Sequence, residues 1–255
     1  MIKFTSDVAL NITTMILITL GGLGFIVIAE IMQLPFRRKL SIHTKIVLIT
    51  SLILVLIPMV IFRLTMNVTL LEALFTSVTA RTAGFTTIDF SIKMKETAAY
   101  PIMLLLMIIG ASPCSTGGGI KTTTFFIIVA TIANIILGKK PQVFKRSIAR
   151  ESIIKAMLLL LISLVYLFIL ITLLKVFNND MSYQDLLFEA TSAFGTVGVS
   201  MGITPYLSMG GKILIIITMF IGRIGPLSFI GFWSNNFMKN SSLNVQYVEE
   251  KIIIG

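Results

Sequence analysis

Apolar stretches of bilayer-spanning length follow one another along almost the whole chain, and this leaves few folds open to it. They cover residues 8–32, 44–62, 97–137, 152–174 and 211–232. Of the 255 residues, 56% are hydrophobic and only 13% charged, roughly half the charge a soluble domain carries. Mean hydropathy is +0.97. The expected solvent is a membrane. Because lipid offers no partner to a backbone amide, the expected fold class is an all-α membrane protein with several spans. The first residues, Met1-Ile-Lys-Phe-Thr-Ser-Asp7, lack the layout of a cleavable signal peptide. The single Cys114 has no disulfide partner and the single His43 no metal-ligating companion, which argues against zinc or Cys/His catalysis. No enzymatic activity is expected.

The net charge of +10 raises nucleic acid as a partner, but its distribution argues against one. The bases form two clusters between apolar runs: Arg37, Arg38, Lys39 and Lys45, then Lys139, Lys140, Lys145, Arg146, Arg150 and Lys155. Segments 65–97 and 177–210 instead hold Glu72, Asp89, Glu96, Asp180, Asp185 and Glu189. By the positive-inside rule the basic clusters are cytoplasmic and the acid-bearing segments external. The excess charge is a topology signal in a multi-pass protein of the plasma membrane.

Residues 97–137 are too long for one span: at ~1.5 Å per residue they would make a helix of twice the hydrocarbon thickness. Their middle reads Gly110-Ala-Ser-Pro-Cys-Ser-Thr-Gly-Gly-Gly119, where Pro113 and three successive glycines break a helix. Irregular backbone persists at membrane depth only where protein buries it or a watery cavity meets it. The expectation is a broken helix with an intramembrane loop. Residues 8–32 are expected to form one tilted helix, with Gly21, Gly22 and Gly24 serving close packing or lining a pore.

Cut this way, the chain repeats. Helix 44–62, the amphipathic segment Leu71–Phe85 and helix 97–137 form one unit; helix 152–174, segment Asp185–Ser200 and helix 211–232 form another. The match needs a one-residue gap, because Phe75 lies nine residues before Gly84 and Phe188 ten before Gly198. The expected organisation is 1–36 as the closing helix of a preceding unit, 37–140 as a full unit with the intramembrane loop, and 141–255 as a last unit with a cytoplasmic tail.

Each unit places Thr-(Ala/Val)-Gly after a short helix: Thr82-Ala83-Gly84-Phe85 and Thr196-Val197-Gly198-Val199. A dehydrated cation needs oxygens, and backbone carbonyls supply them where glycine lets the chain leave helical geometry. The preceding helices would aim the negative ends of their dipoles at the ion. One such tripeptide is weak evidence, but two, each between membrane spans, point to a selectivity filter for ions. The competing reading is a re-entrant turn that only fills space.

Taken together, Thr79–Phe85, Gly110–Thr123, Ser192–Gly198 and Gly222-Arg-Ile-Gly-Pro226 resemble the membrane subunits of the Ktr/Trk/HKT superfamily of K⁺ transporters. The ending Glu249–Gly255 looks closer to the KtrB branch than to the TrkH branch. The resemblance implies four helix–pore loop–helix units around one pore, homodimers, surrounding membrane lipid, and a cytosolic nucleotide-binding regulatory partner of the KtrA/TrkA kind. It makes Gly84 and Gly198 filter glycines of the third and fourth units. It makes the stretch holding Gly110, Ser112, Pro113, Ser115, Thr116, Gly117, Gly118 and Gly119 a gating loop, against a static packing loop as the plainer reading. K⁺ is then the transported ion, with Na⁺ as a coupling ion; no cofactor is expected on this chain. A Na⁺-conducting HKT-like protein and a non-conducting assembly partner remain the alternatives, since only two of four filter segments lie in these residues.

Gly119-Ile120-Lys121-Thr122 mimics a phosphate-binding loop, but that motif needs Gly and Lys adjacent and a soluble α/β context. Arg223 lies within the last apolar run, where an arginine costs about 2.5–3.5 kcal/mol. A pore-facing position below the filter and a buried pair with a carboxylate such as Glu189 would both offset this. Arg81, at the outer rim beside the first segment, is expected to anchor the first pore helix in preference to direct ion contact, while Asp7 and Lys121 read as solvated helix ends or vestibule residues.

Overall fold

The computed structural model describes residues 4–37, 39–95 and 97–225. Its framework is helical: α1 (Val8–Leu23), α2 (Phe25–Met32), α3 (Leu34–Arg37), α4 (Ile42–Thr65), α5 (Leu70–Thr79), α6 (Phe90–Lys93), α7 (Ala99–Ile108), α8 (Thr122–Ile136), α9 (Arg150–Phe177), α10 (Tyr183–Gly195) and α11 (Met209–Ile224). Only α4 and α9 are single helices long and apolar enough to cross a bilayer among the described residues. Their lipid-facing sides are rich in Leu, Ile and Phe: Leu52, Ile57 and Leu64 on α4, Leu161, Phe168 and Val176 on α9, all more than half exposed. The run at 211–232 continues past the described residues.

Two units share one plan. In the first, α4 packs on the short helix α5, and the chain returns through α7 and α8. In the second, α9 packs on the short helix α10, which packs in turn on α11. Both short helices are buried almost to their C-terminal ends, through Ala73, Phe75 and Val78 in α5 and Leu186, Phe188 and Phe194 in α10. Thr69 and Glu72 form a reciprocal capping box that starts α5, with the Thr69 N–H donating to the Glu72 carboxylate at 2.7 Å. The units are joined at one end by the Lys95–Asp185 ion pair at 2.8 Å and by the Tyr100 hydroxyl on the Gln184 carbonyl at 2.6 Å.

Pro58 inside α4 removes the amide that would satisfy the Leu54 carbonyl. Ser77 of α5 compensates: its hydroxyl donates to the Val55 carbonyl at 2.7 Å and lies 3.4 Å from that of Leu54. The proline site is thereby a docking point for α5, as a membrane interior demands of any freed backbone group.

Residues 8–32 depart from the single tilted helix their hydropathy suggests. The chain bends by 101° between α1 and α2. The turning residue, Gly24, has φ +84°, and its position abuts the Pro113 carbonyl so closely that a Cβ could not fit. Phe25 donates its N–H to the Cys114 carbonyl at 3.1 Å. The bend exists because a distant loop inserts there. Beyond α8, the second basic cluster holds a feature the sequence reading lacked, a two-residue antiparallel hairpin of β1 (Gln142–Val143) and β2 (Arg146–Ser147). Its corner residues Phe144 and Lys145 both have positive φ, and Lys45 sits 5.9 Å over the Phe144 ring.

Candidate ion pathway

Both Thr-(Ala/Val)-Gly segments leave the C-terminus of a pore helix and adopt the same dihedral rhythm. Thr82 and Gly84 have φ of +69° and +81°, Thr196 and Gly198 of +54° and +86°, while the residues between and after them stay negative. Alternation of sign turns successive carbonyls to one side, where an extended strand would alternate them. A left-handed threonine is uncommon, so the surroundings must hold it.

They do so through a residue on each pore helix that the sequence reading passed over. Thr79 accepts the Ala83 N–H on its carbonyl at 3.2 Å and donates its hydroxyl to the Phe85 carbonyl at 2.5 Å. Ser192 does the same for the second segment, with Val197 N–H at 2.9 Å and the Val199 carbonyl at 2.5 Å. The repeat itself held the signal: Thr79-Ala80 and Ser192-Ala193 are hydroxyl–alanine pairs in matching places, before the one-residue gap. Phe85 and Val199 thus turn their carbonyls back toward their own helices. The two segments meet directly. A Cβ on Gly84 would lie 2.8 Å from the Val197 carbonyl, and one on Gly198 would lie 3.5 Å from the Gly84 Cα.

Beneath them sits the interruption between α7 and α8. Its neck is closed by backbone: Gly110 N–H to the Ile120 carbonyl at 2.8 Å, and Ile120 N–H to that of Ile108 at 3.0 Å. From there residues 110–119 reach four places. Ser112 and Thr116 donate N–H groups to the carbonyls of Gly22 and Gly21 at 3.0 and 3.2 Å, beside the α1–α2 bend. Gly118 N–H donates to the Thr196 hydroxyl at 3.0 Å, and Gly119 N–H to the Gly222 carbonyl of α11 at 3.2 Å. Gly117 lies against the Thr82 hydroxyl, with no room for a side chain. The loop is therefore docked on the first residue of each Thr-(Ala/Val)-Gly segment. Ser112 is buried against the Thr122 hydroxyl at 3.2 Å, whereas Pro113, Ser115 and the exposed Cys114 and Thr116 lie on the loop's outer surface, toward the bend.

The charged residues are arranged differently from expectation. Glu189 accepts from the Ser200 hydroxyl, from Met201 N–H at 3.0 Å and from the Thr204 hydroxyl at 2.9 Å; Arg223 is not among its partners. Arg223 is exposed in the last turn of α11, which ends at Gly225 with φ +92°, so it favours the negative helix terminus instead. Lys121 is not a solvated end. It is half-buried, and its ammonium donates to the Gly117 carbonyl at 2.6 Å, tying the loop tip to its own neck. Asp7 caps α1, accepting from Leu10 N–H at 3.1 Å. Arg81 is an anchor: buried, it donates to the Ser51 carbonyl and hydroxyl of α4 at 3.1 and 3.0 Å. Its Nε lacks a protein partner among the described residues. It borders a cavity of about 20 Å³ lined by Gly22, Ser51 and Val78, enough for roughly one water.

A helical membrane protein, with an irregular loop packed under two Thr-(Ala/Val)-Gly segments that each follow a short buried helix, is the class this geometry defines. The chain belongs to the TrkH family of cation transport proteins, whose family model matches residues 31–240. It is 36% identical over 268 residues to the Ktr system potassium uptake protein B of Bacillus subtilis, covering 100% of this chain and 59% of that protein. It is 33% identical to the potassium/sodium uptake protein NtpJ of Enterococcus hirae, covering 98% of this chain and 58% of that one. Among solved structures, the potassium transporter TrkH of Vibrio parahaemolyticus superposes with a TM-score of 0.69 at 16% identity, over 90% of this chain and 53% of its own. That likeness concerns the fold. The chain thus spans about three-fifths of the length of the curated relatives it matches. The family is one of membrane transporters and not of enzymes.

Proposed function

We propose that this chain forms part of the membrane subunit of a K⁺ uptake system and passes K⁺ through a backbone-carbonyl filter. Residues Thr82, Ala83 and Gly84 with Thr196, Val197 and Gly198 supply two of the filter's segments, and Phe85 and Val199 anchor their outer ends. The other half of the ring lies outside these 255 residues. The observation that carries this reading is the shared dihedral alternation of the two segments, each held by a hydroxyl on its own pore helix. A space-filling turn would have no need to hold two threonines in a left-handed conformation twice over.

In this reading residues 110–119 are the gate. Contacts to Thr196 and Gly222, and the close fit against Thr82, support this reading, because they hold the loop against the first residue of each segment. Opening exchanges those few amide hydrogen bonds for others on the same hydroxyls, so a cytosolic partner can bias the loop by favouring one position. Arg223, at the end of α11 one residue from the loop's Gly222 contact, adds positive charge below the filter. The names of the Bacillus relatives describe a Ktr system, which supports a multi-component assembly with a nucleotide-binding regulatory partner, in which the membrane subunits pair as homodimers. The name of the Enterococcus relative covers potassium and sodium, which supports Na⁺ as coupling ion. No covalent chemistry takes place on this chain.

The test is growth of a K⁺-uptake-deficient bacterium at limiting K⁺ when the transport-competent protein is expressed, with and without Na⁺. Rescue that Gly198→Ser abolishes while expression holds supports the assignment. Equal rescue by the variant removes it, and Na⁺ uptake without K⁺ uptake favours the HKT-like alternative.

A further inference from the structure

We propose that the crevice between α8 and α9 is a binding site for an anionic phospholipid, whose acyl chain fills a cavity against the neck of the intramembrane loop. The cavity is about 340 Å³ and is lined by apolar side chains alone, among them Leu105, Phe125, Ile128, Leu160 and Leu164. Its size falls in the range of small-ligand sites. Leu105 and Leu164 are about half exposed, so it opens sideways, toward lipid.

Depth and charge identify the occupant. Along α9, Leu164, Met157 and Arg150 follow at seven-residue intervals and therefore share a face. Along α8, Ile128, Ile132 and Ile135 share another, and the exposed Lys139 follows three residues past the helix end, after the turn at Gly138. Met157, Ile132 and Ile135 are exposed apolar residues, so an apolar track runs from the cavity to two exposed cations. From Arg150 up to Leu160 the rise is about 15 Å, one leaflet of the hydrocarbon. A phosphate held at Lys139 and Arg150 thus brings the end of its acyl chain to the cavity. The acid in that stretch, Glu151, pairs with Lys155 at 3.6 Å and lies around the helix from Leu164, off the track. The positive-inside rule makes this the cytoplasmic leaflet.

The inner wall of the cavity is Ile108, Ile109 and Ile120, of which Ile108 and Ile120 carry the backbone bonds of the loop neck. A chain packed there supports the neck from behind, and unzipping of Ile120 from Ile108 and Gly110 would disturb it. The lipid is placed to stabilise the closed neck.

A tryptophan in place of Met157, with the single Trp233 changed to Phe, reports what lies along the track in vesicles of phosphatidylcholine. A minor fraction of brominated phosphatidylglycerol should quench it at roughly 25-fold lower mole fraction than brominated phosphatidylcholine does. The preference should drop by about fivefold for each of Lys139→Gln and Arg150→Gln, both exposed and harmless to folding. Leu160→Phe, which fills the cavity and spares the charges, should weaken quenching by both lipids. A tryptophan at Leu173, far from the basic end, should show no preference. Equal quenching by the two lipids, or a preference that survives loss of both cations, overturns the proposal. Absence of quenching by either lipid does so too, since a protein surface such as a second copy then covers the crevice. The readout is binding, so it stands or falls apart from the K⁺ assignment.

Discussion

Ser192 grips Val199 by its carbonyl, hydroxyl to oxygen at 2.5 Å, and through its own carbonyl takes the amide of Val197 two residues earlier at 2.9 Å. One side chain and one peptide group thereby hold three consecutive residues of the second filter segment at both ends. Thr79 repeats the arrangement on the first segment. Val199 is 1% exposed and Phe85 49%, so the two clamps are not equal. Ser192→Ala strands a buried carbonyl, worth about 1–3 kcal/mol, whereas water can replace the Thr79 hydroxyl at Phe85. Flux measurements should find K⁺ over Na⁺ discrimination reduced more by Ser192→Ala than by Thr79→Ala, and restored by Ser192→Thr. Equal and negligible effects would mean that the filter does not depend on these hydroxyls.

The two filter glycines differ in a similar way. Gly84 and Gly198 both hold positive φ, but a Cβ on Gly84 approaches the Val197 carbonyl at 2.8 Å while one on Gly198 has 3.5 Å to its nearest neighbour. Backbone strain of roughly 1–3 kcal/mol applies to both, and steric conflict to the first alone. Gly84→Ala should lower yield and thermal stability more than Gly198→Ala, and Gly84→Ser and Gly198→Ser should each lower K⁺ selectivity. Ion competition in proteoliposomes and a thermal unfolding series read the two effects separately.

The seating of Gly118 on the Thr196 hydroxyl at 3.0 Å offers a gentle probe of the gate. Thr196→Val keeps the shape, removes the acceptor, and should raise basal K⁺ flux. Deleting part of Ser112–Gly118 should raise it further and weaken dependence on the regulatory partner. Wild-type flux and intact regulation in a well-expressed deletion would assign the loop to packing alone.

Orientation follows from the basic clusters. A reporter fused near Lys140, in the segment that carries the β1–β2 hairpin, should be cytoplasmic, and one near Lys93, on α6, external. Both on one side would break the two-unit arrangement.

Among the described residues the Arg81 side chain makes its hydrogen bonds to Ser51 of α4. Arg81→Met keeps volume and loses both bonds, and the Ser51 carbonyl falls back on its helix, so a loss of about 1–3 kcal/mol is expected. Ser51→Ala removes one bond of the two and should cost less; chemical unfolding in detergent ranks them.

Hydropathy and backbone chemistry act over a few residues, and what depends on them was written in the chain itself. Uninterrupted apolar length gave α4 and α9, Pro113 with the triple glycine gave the break between α7 and α8, and the double Thr-(Ala/Val)-Gly gave two left-handed turns after two buried helices. The anchoring role of Arg81 was legible too, because an arginine beside a pore helix has little else to do at that depth. What depends on residues far apart in sequence was not. Gly21, Gly22 and Gly24 read equally as packing or pore-lining, and only the loop inserted from Ser112 to Thr116 makes the chain bend there and uses the carbonyls of Gly21 and Gly22. Lys121 read as a solvated end or a vestibule residue until the fold curled Gly117 back over it, and Arg223 read equally as pore-facing or as a partner of Glu189 until hydroxyls on Ser200 and Thr204 satisfied that carboxylate. In lipid every buried polar group must find a partner. The sequence states how many partners are needed and of what kind, but which ones meet is decided by where tertiary packing leaves them.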